Sequence, residues 1–253
     1  MTAPAAAVIE LQGVSKRFPG RPPLLEGVDL RLAPGEIFGL IGPAACGKSV
    51  LCKLVCGLVP ADAGRIVVEG AEITGARERT LFGVRQKIGM LFQNNALFDF
   101  MTIAENVAFP LVRRGDLPDD EIETRVYERL KAVGLAGSEK KTPNELSGGM
   151  RKRAAIARAT IAEPDIVIYD EPTAGLDPVT TSKIYDLLGE LQARRGGLVL
   201  SISSDVEALR RWVRRIGMLY RGRLRYDGDP ATIADSDDPV VRQFVRGDLV
   251  GPL

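Results

Sequence analysis

The segment from Gly42 to Ser49 constrains the possible fold of this chain more than any other stretch. Four residues separate its two glycines, and Lys and Ser follow the second glycine, which is the spacing of a phosphate-binding loop. The apolar run Ile37–Ile41 before it predicts a buried strand, and a helical pattern follows it as far as Cys56. Strand, loop and helix form the context that this pattern requires. The sequence therefore predicts an α/β fold that binds a nucleoside triphosphate.

The expected chemistry of this loop is that of an anion cradle. Backbone amides of a glycine-rich turn and the N-terminus of the following helix attract phosphate, and the Lys48 ammonium adds a point charge. The hydroxyl of Ser49 would coordinate Mg²⁺. The candidate nucleotide-binding residues of the loop are Gly42, Pro43, Ala44, Ala45, Cys46, Gly47, Lys48, Ser49 and Val50.

The overall composition excludes several other classes of protein. A chain of 253 residues forms one large domain or one domain with an insertion. Its net charge of +1, from 34 basic and 33 acidic residues, creates no field that would favour nucleic acid. No apolar stretch reaches the ~18 residues of a membrane span. The segment Met1–Ala5 lacks the basic and apolar regions of a signal peptide, so none is expected.

Cysteine and histidine content limits the chemistry further. Cys46, Cys52 and Cys56 form no disulfide framework and indicate a reducing cytosol. A zinc site is not expected, because four ligands are normally needed and the sequence contains no histidine. Cys52 and Cys56 are expected to pack as small apolar residues. Cys46 lies near a helix N-terminus, so a lowered thiol pKa and high reactivity are expected there.

Two kinds of apolar pattern predict two kinds of sheet. Val8–Leu11 and Val28–Leu32 alternate, which is typical of half-exposed antiparallel strands. Ile166–Tyr169 and Leu198–Ile202 are almost wholly apolar, with a predicted helix at about 179–194 between them, which is the βαβ order of a buried parallel sheet. Further strands are predicted at Arg65–Glu69, Ile88–Phe92, Ile216–Tyr220 and Arg223–Tyr226.

Residues from about 94 to 163 have a helical pattern instead. Its clearest helix carries the apolar stripe Ile122, Val126, Leu130 and Val133, and Gly134 marks its end. A polar tail from about residue 229 is predicted to be helical around 240–245. The chain is therefore predicted to be an α/β core interrupted by a helical insert.

Two acidic residues follow the predicted strand Ile166–Tyr169. Asp170 ends the apolar run, where a second contact to Mg²⁺ belongs, and Glu171 points elsewhere and could polarise an attacking water. The alternative interpretation is a solvated acidic turn.

A second glycine-containing motif precedes a predicted helix. Leu146–Met150 is followed by three cations, Arg151–Arg153, on the first helical turn. The two glycines expose amides there and the cations oppose the helix dipole, so this end is expected to attract an anion. A loop with a solvated basic face is the alternative.

Five motifs in chain order resemble the nucleotide-binding subunit of an ABC transporter. They are the phosphate-binding loop, Phe92–Gln93, Leu146–Gly149, Asp170–Pro172 and Ala174–Asp177. The resemblance implies a P-loop NTPase of the ABC ATPase type, with a RecA-like core and an antiparallel β subdomain. The ATPase domain would span residues 1–228, with the helical subdomain inserted at about 94–163, and a C-terminal extension would span 229–253.

The resemblance also implies site residues and a second copy of the chain. Gln93 would join the Mg²⁺ site and couple it to the helical subdomain. Phe18 would stack on adenine, a buried core phenylalanine being the alternative. Ser147, Gly148 and Gly149 would contact the γ-phosphate bound to the opposite subunit, so that two ATP molecules lie between head-to-tail copies. Asp177 completes the nucleotide-binding set.

A closer similarity is to the ATPases of Mce-type lipid transporters, the MlaF-like group. Its evidence lies in Asn95–Leu111, Gly47–Val50, Ser147–Arg153 and Asp238–Gly247. This similarity implies a phospholipid or other hydrophobic cargo, a transmembrane permease, a lipid-binding Mce-type protein, and a peripheral position on the cytoplasmic face of the inner membrane. A groove near Gln93 and Phe98–Met101 would receive a permease helix.

The C-terminal tail of such proteins can reach the neighbouring ATPase. Phe244 and Val245 are the expected anchors here, with a floppy terminus as the alternative.

The sequence departs from the ABC pattern at two positions. Ser204 occupies the position of the usual switch histidine, and its hydroxyl has neither the charge nor the reach of imidazole, so hydrolysis is expected to be slow. Ala44 and Ala45 replace the commoner Ser-Gly, and a left-handed Ala45 would cost about 1 kcal/mol. Two alternatives stay open at this stage: a transporter of another substrate, and a nucleotide-binding regulatory subunit with impaired hydrolysis.

Overall fold

The computed structural model of the protein describes residues 7–253, so the segment Met1–Ala5, where no signal peptide is expected, lies outside the described residues. Within 7–253 the chain forms ten strands and eight α-helices. The strands are β1 (Ile9–Arg17), β2 (Pro23–Leu32), β3 (Ile37–Ile41), β4 (Ala63–Val68), β5 (Ala71–Glu72), β6 (Ile88–Leu91), β7 (Ile166–Asp170), β8 (Leu198–Ile202), β9 (Arg215–Tyr220) and β10 (Arg223–Gly228). The helices are α1 (Lys48–Val55), α2 (Glu78–Gln86), α3 (Ile103–Arg114), α4 (Asp119–Ala132), α5 (Gly148–Thr160), α6 (Pro178–Arg195), α7 (Val206–Trp212) and α8 (Pro239–Arg246).

Two compact units make up the chain. The first contains residues 7–85 and 197–253, and the second contains Gln86–Gly196. The first unit has an antiparallel sheet in the order β2-β1-β4-β5. Ile9 and Leu11 of β1 are buried and Gln12 is exposed, because alternate residues of a strand face opposite sides. The register against β2 shifts between Leu11 and Val14, so that Gly13 is exposed and Val14 is buried. The predicted antiparallel sheet is therefore confirmed.

A mostly parallel sheet in the first unit positions the phosphate-binding loop. β3 runs parallel to β8 on one side and to β9 on the other, and β10 returns antiparallel to β9. Every residue of β3 and of β8 is buried, as their apolar sequences predict. α7 covers this sheet at Gly39, where an added Cβ would lie 3.0 Å from Leu209 and from Val213. The glycine thus allows the helix to pack directly on the strand that leads to the loop.

In the second unit, three helices share one apolar core. The predicted stripe of α4, with Ile122, Val126 and Leu130, is buried, and so is Val133 at its end. Helices α3 and α5 supply the facing side chains, including Val107, Leu111, Ala154 and Ala157. The predicted α4 is therefore confirmed.

A parallel strand pair of the second unit supports helix α5. β6 pairs with β7, with Leu91 opposite Tyr169. The backbone of α5 crosses β6 so closely that a Cβ on Gly89 would overlap the carbonyl oxygen of Ala159. Strand β6 therefore needs glycine at this point.

The tail ends in an ordered helix, α8. Asp238 caps its N-terminus and Gly247 ends it with φ 72°. Val240 and Val241 are buried and fix the helix within the first unit, whereas Phe244 and Val245 are half-buried. The alternative of a floppy terminus is wrong over α8, whereas the contact of Phe244 and Val245 with a neighbouring ATPase stays a prediction.

Candidate nucleotide site

Both glycines of the phosphate-binding loop are required by the structure. Gly42 has φ 147°, and a Cβ on it would overlap the carbonyl oxygen of Leu219. Gly47 caps the N-terminus of α1 with φ 109°, and its Cβ would lie 2.8 Å from Leu25 Cδ2. Residues that carry a Cβ atom rarely adopt such backbone angles. The loop therefore has the close-packed backbone of an anion cradle.

Ala45 has the left-handed conformation considered from the sequence. Its φ is 59°, whereas Ala44 beside it keeps a negative φ, and both residues are exposed. A non-glycine residue in this region is strained by about 1–2 kcal/mol. The loop holds this strain without any side-chain packing to offset it.

The Lys48 ammonium is fixed at the loop by two backbone carbonyls. Its Nζ donates hydrogen bonds to Gly42 O at 2.7 Å and to Pro43 O at 2.9 Å, and the side chain is buried. An ammonium has three donors. Two of them orient Lys48 at the loop, and Cys46 Sγ is a third, weak acceptor at 3.9 Å.

The thiol of Cys46 differs from its expected state. Its Sγ lies 3.9 Å from Lys48 Nζ. Burial nevertheless raises the pKa of the Cys46 thiol, because loss of solvation outweighs the attraction of the Lys48 charge for a thiolate. The expectation of a lowered pKa is therefore wrong.

Ser204 lies at the same edge of the sheet as the phosphate-binding loop. β3 and β8 are parallel with Leu40 opposite Ile202, so their carboxyl ends meet at one edge. Ser204 is exposed two residues beyond β8. The next residue, Asp205, caps α7 by accepting a hydrogen bond from Ala208 N–H at 3.0 Å. The position of the missing imidazole is thus a short polar turn beside the loop.

Phe18 is half-buried, just beyond the end of β1. The Lys16 ammonium lies 5.4 Å from the centre of its ring and forms an ion pair with Asp62 at 2.8 Å. The alternative of a phenylalanine buried in the core is therefore wrong.

Asp170 and Glu171 lie at the carboxyl end of β7 in the second unit. Asp170 is buried with 3% of its surface exposed, which rules out a solvated acidic turn. Glu171 is half-buried and has a left-handed backbone, with φ 54°. Leu91 of β6 pairs with Tyr169 of β7. Gln93 lies two residues after Leu91, and Glu171 lies two residues after Tyr169. The parallel pair therefore brings these two positions to one edge.

The three cations at the start of α5 are bound to backbone carbonyls of the second unit. Arg151 donates to Leu146 O at 2.6 Å, and Arg153 donates weakly to Val133 O and Gly134 O. Lys152 is buried, and its Nζ donates to Gln93 O and Glu171 O, both at 3.0 Å. A solvated basic face is therefore wrong for these three side chains, whereas an anion at Ser147–Gly149 stays a prediction. The sequence gives no signal of where Lys152 and Arg153 bind, because their acceptors lie 19 to 59 residues away in the chain.

The glycines before these cations differ in what they contact. Ser147 caps α5 by accepting a hydrogen bond from Met150 N–H at 3.3 Å. A Cβ on Gly149 would lie 3.2 Å from Thr180 Cγ2, but a Cβ on Gly148 would meet nothing within 4 Å. Nothing around Gly148 in its own chain therefore requires glycine.

Two further residues fix loops of the second unit. Asp177 caps α6, and hydrogen bonds from Thr180 lower the pKa of its carboxyl group.

Asn106, which the sequence analysis did not single out, is fully buried. Its side-chain amide accepts a hydrogen bond from Phe98 N–H and donates to the carbonyls of Phe98, Met101 and Thr102. It holds the loop that presents Phe98 and the exposed Phe100.

The donor atoms suit Mg²⁺ better than a softer metal. No group of three or more His, Cys, Asp or Glu side chains capable of holding a metal occurs within residues 7–253. Mg²⁺ typically binds through one or two carboxylates, substrate phosphates and water, and the hydroxyl of Ser49 and the carboxylate of Asp170 are both hard oxygen donors of this type. Within the same residues, no helix is long and apolar enough to cross a membrane.

Comparisons with known proteins agree on one family. Residues 25–174 match the ABC transporter family. A Mycobacterium leprae protein named as a probable ribonucleotide transport ATP-binding protein, mkl, is 40% identical over 250 residues, which cover 99% of this chain and 72% of that protein. The intermembrane phospholipid transport system ATP-binding protein MlaF of Escherichia coli K12 is 36% identical over 91% of this chain and 86% of its own length.

A solved structure shows the same fold. The dimeric post-hydrolysis state of an ATP-binding cassette bound to ADP and Pi superposes with a TM-score of 0.81 and 30% identity, over 88% of this chain and 98% of that chain. The chain therefore belongs to the ABC transporter family, as an ATP-binding subunit with the fold and activity class of an ABC ATPase.

Proposed function

We propose that this ATPase energises the transport of phospholipids or similar hydrophobic molecules, using ATP with Mg²⁺. The observation that carries the cargo assignment is the similarity to MlaF, which extends over 91% of this chain. Lys48 and Ser49 would hold phosphate and metal, Asp170 and Gln93 would complete the metal site, and Glu171 would polarise the attacking water. The burial of Asp170 and the left-handed backbone of Glu171 support different roles for these adjacent carboxylates.

The chain is proposed to act as a head-to-tail pair. Because Gly148 has open space where a side chain would project, glycine there suits the approach of a group from outside the chain. The phosphate of ATP bound to a second copy would contact Ser147, Gly148 and Gly149, with Asp177 nearby in the dimer contact. Phe18 would support the adenine, and the tail at Phe244 and Val245 would reach the neighbouring copy.

A matched pair of variants tests the second copy. Gly83 in α2 has the same open surroundings as Gly148 and no unusual φ. Gly148→Val should abolish ATP-dependent dimers in light scattering, measured in the Glu171→Gln background, while Gly83→Val leaves them intact. Dimers of normal stability in Gly148→Val would contradict the head-to-tail arrangement.

The remaining partners are proposed from the transport role. Phe98–Met101 and the neighbouring Gln93 would receive a helix of the transmembrane permease, and Phe100, with 82% of its surface exposed, offers an apolar contact. The subunit would sit on the cytoplasmic face of the inner membrane, in a complex with a lipid-binding Mce-type protein.

The cargo is tested on the transporter purified with its membrane partner. We expect phospholipid to co-purify and to stimulate ATP hydrolysis in detergent. A ribonucleotide is the second candidate, because the mycobacterial relative is named for it. Stimulation by ribonucleotides and not by phospholipid would refute the lipid assignment.

A further inference from the structure

Lys152 is a buried lysine that lies between two loops of the second unit. Only 4% of its surface is exposed. Its Nζ lies 3.0 Å from the carbonyl oxygen of Gln93 and 3.0 Å from that of Glu171. These two residues follow β6 and β7, whereas Lys152 belongs to the first turns of α5. A single ammonium group therefore connects three segments that are distant in sequence.

The surroundings show that this charge is held at a cost to solvation. Burial lowers the pKa of Lys152, and the negative charges of Glu171 and Asp170 oppose that shift. A buried cation is stable only when its donors are satisfied by good acceptors. Here the acceptors include the backbone carbonyls of Gln93 and Glu171. A neutral apolar side chain at position 152 would remove the donor from both carbonyls.

One of these carbonyls belongs to a strained residue. Glu171 has φ 54°, a backbone conformation that residues other than glycine rarely adopt. The hydrogen bond from Lys152 fixes the orientation of the peptide group that follows Glu171. Since that orientation also fixes where the Glu171 side chain leaves the backbone, Lys152 influences the direction of the carboxylate.

The helix that carries Lys152 also carries the glycine motif. Ser147 caps α5, and Gly148 and Gly149 form its first residues, four and three positions before Lys152. Movement of this helical end would therefore shift the ammonium and, through it, both loops.

We propose that Lys152 is a positioning residue for ATP hydrolysis, which sets the Gln93 and Glu171 loops in register with the glycine end of α5. The proposal rests on the roles assigned to Gln93 and Glu171 above. Lys152 acts through backbone atoms and does not contact the reacting phosphate. Its compact ammonium on a flexible four-carbon stem can donate in diverging directions, whereas the larger planar fork of arginine would not fit the same two carbonyls.

The test compares Lys152→Met and Lys152→Arg with Arg153→Met in the full-length chain. Arg153 is a matched control, because it is a cation of the same helix that donates to two backbone carbonyls, but on the segment after α4. We expect Lys152→Met to reduce kcat at least tenfold while KM for ATP and the Kd of a fluorescent ATP analogue change less than twofold. Amide exchange should accelerate at residues 94–96 and 173–174, and Arg153→Met should change neither kcat nor exchange in these loops.

Each outcome of the test supports or refutes the proposal. A kcat of Lys152→Met within twofold of the original chain would refute it, as would equal losses of kcat in Lys152→Met and Arg153→Met. If Lys152→Met lacks a cooperative melting transition, Lys152→Arg decides: reduced kcat with unchanged nucleotide Kd supports positioning, and an unchanged kcat refutes it. Glu171→Gln is measured in parallel, because full turnover in that variant would refute the proposed role of Glu171 itself and not the contact made by Lys152.

Discussion

Replacing Ala45 by glycine should stabilise this protein, although most substitutions by glycine destabilise. Ala45 has φ 59° in the phosphate-binding loop, and its methyl group is exposed, so the change removes strain without removing packing. The left-handed conformation costs an alanine about 1–2 kcal/mol. Glycine gives the unfolded chain extra entropy worth about 0.4–1 kcal/mol. The free energy of unfolding should therefore rise by about 0.5–1 kcal/mol.

Ala44→Gly provides the matched control. Ala44 is also exposed, in the same loop, but its φ is negative, so only the entropy of the unfolded chain changes. This variant should lose about 0.4–1 kcal/mol.

Thermal melting of the full-length chain measures both effects. In a protein of this size, 1 kcal/mol corresponds to about 2–4 °C in Tm. We expect Tm to rise by about 2 °C in Ala45→Gly and to fall by a similar amount in Ala44→Gly. Shifts of the same sign in both variants would show that the left-handed angle does not strain the loop.

Three further predictions concern single residues. Ser204→His should raise steady-state ATPase activity on the order of tenfold, as a general acid–base group can, and should make the rate depend on pH near the histidine pKa. Glu171→Gln serves as the blank, and an unchanged or lower rate in Ser204→His would contradict the account of Ser204. Burial raises the pKa of Cys46 above its ordinary value, so the folded thiol stays protonated as pH passes 9. Alkylation should therefore be slower than for free cysteine at pH 7, and the free energy of unfolding should fall as the thiol of the unfolded chain ionises. Alkylated protein should lose ATP binding and bound ATP should protect; normal ATP binding after modification would place Cys46 away from the phosphates. Asn106→Ala should lower the free energy of unfolding by about 2–4 kcal/mol, since several buried hydrogen bonds are lost together, and should weaken binding to the permease; the exposed Asn144→Ala serves as control, and equal effects of the two variants would refute the role of Asn106.

The sequence predicts the local features of this protein well. The phosphate-binding loop, the apolar strands β3, β7 and β8, and the stripe of α4 follow from spacing and periodicity, which act over a few residues. The short helices α2 and α7 have no comparable periodic signal, and the sequence analysis did not identify them.

Features that depend on distant neighbours are the ones that sequence reasoning missed. Lys152 and Arg153 have the same local pattern as a solvated basic turn, and only the fold shows that they donate to carbonyls of other segments. The pKa of Cys46 was predicted in the wrong direction for the same reason. Its helix N-terminus and lysine are visible in the sequence, but the extent of its burial is not.

The contact between Gly89 and Ala159 has a mechanical consequence. Where a helix rests on a strand through bulky side chains, rotamer changes can absorb small displacements before they spread. Here the backbone of Gly89 lies directly against the carbonyl group of Ala159, and the nearby side chain is the rigid ring of Pro164. A displacement of either end of α5 should therefore be transmitted directly to β6 and to the segment that follows it.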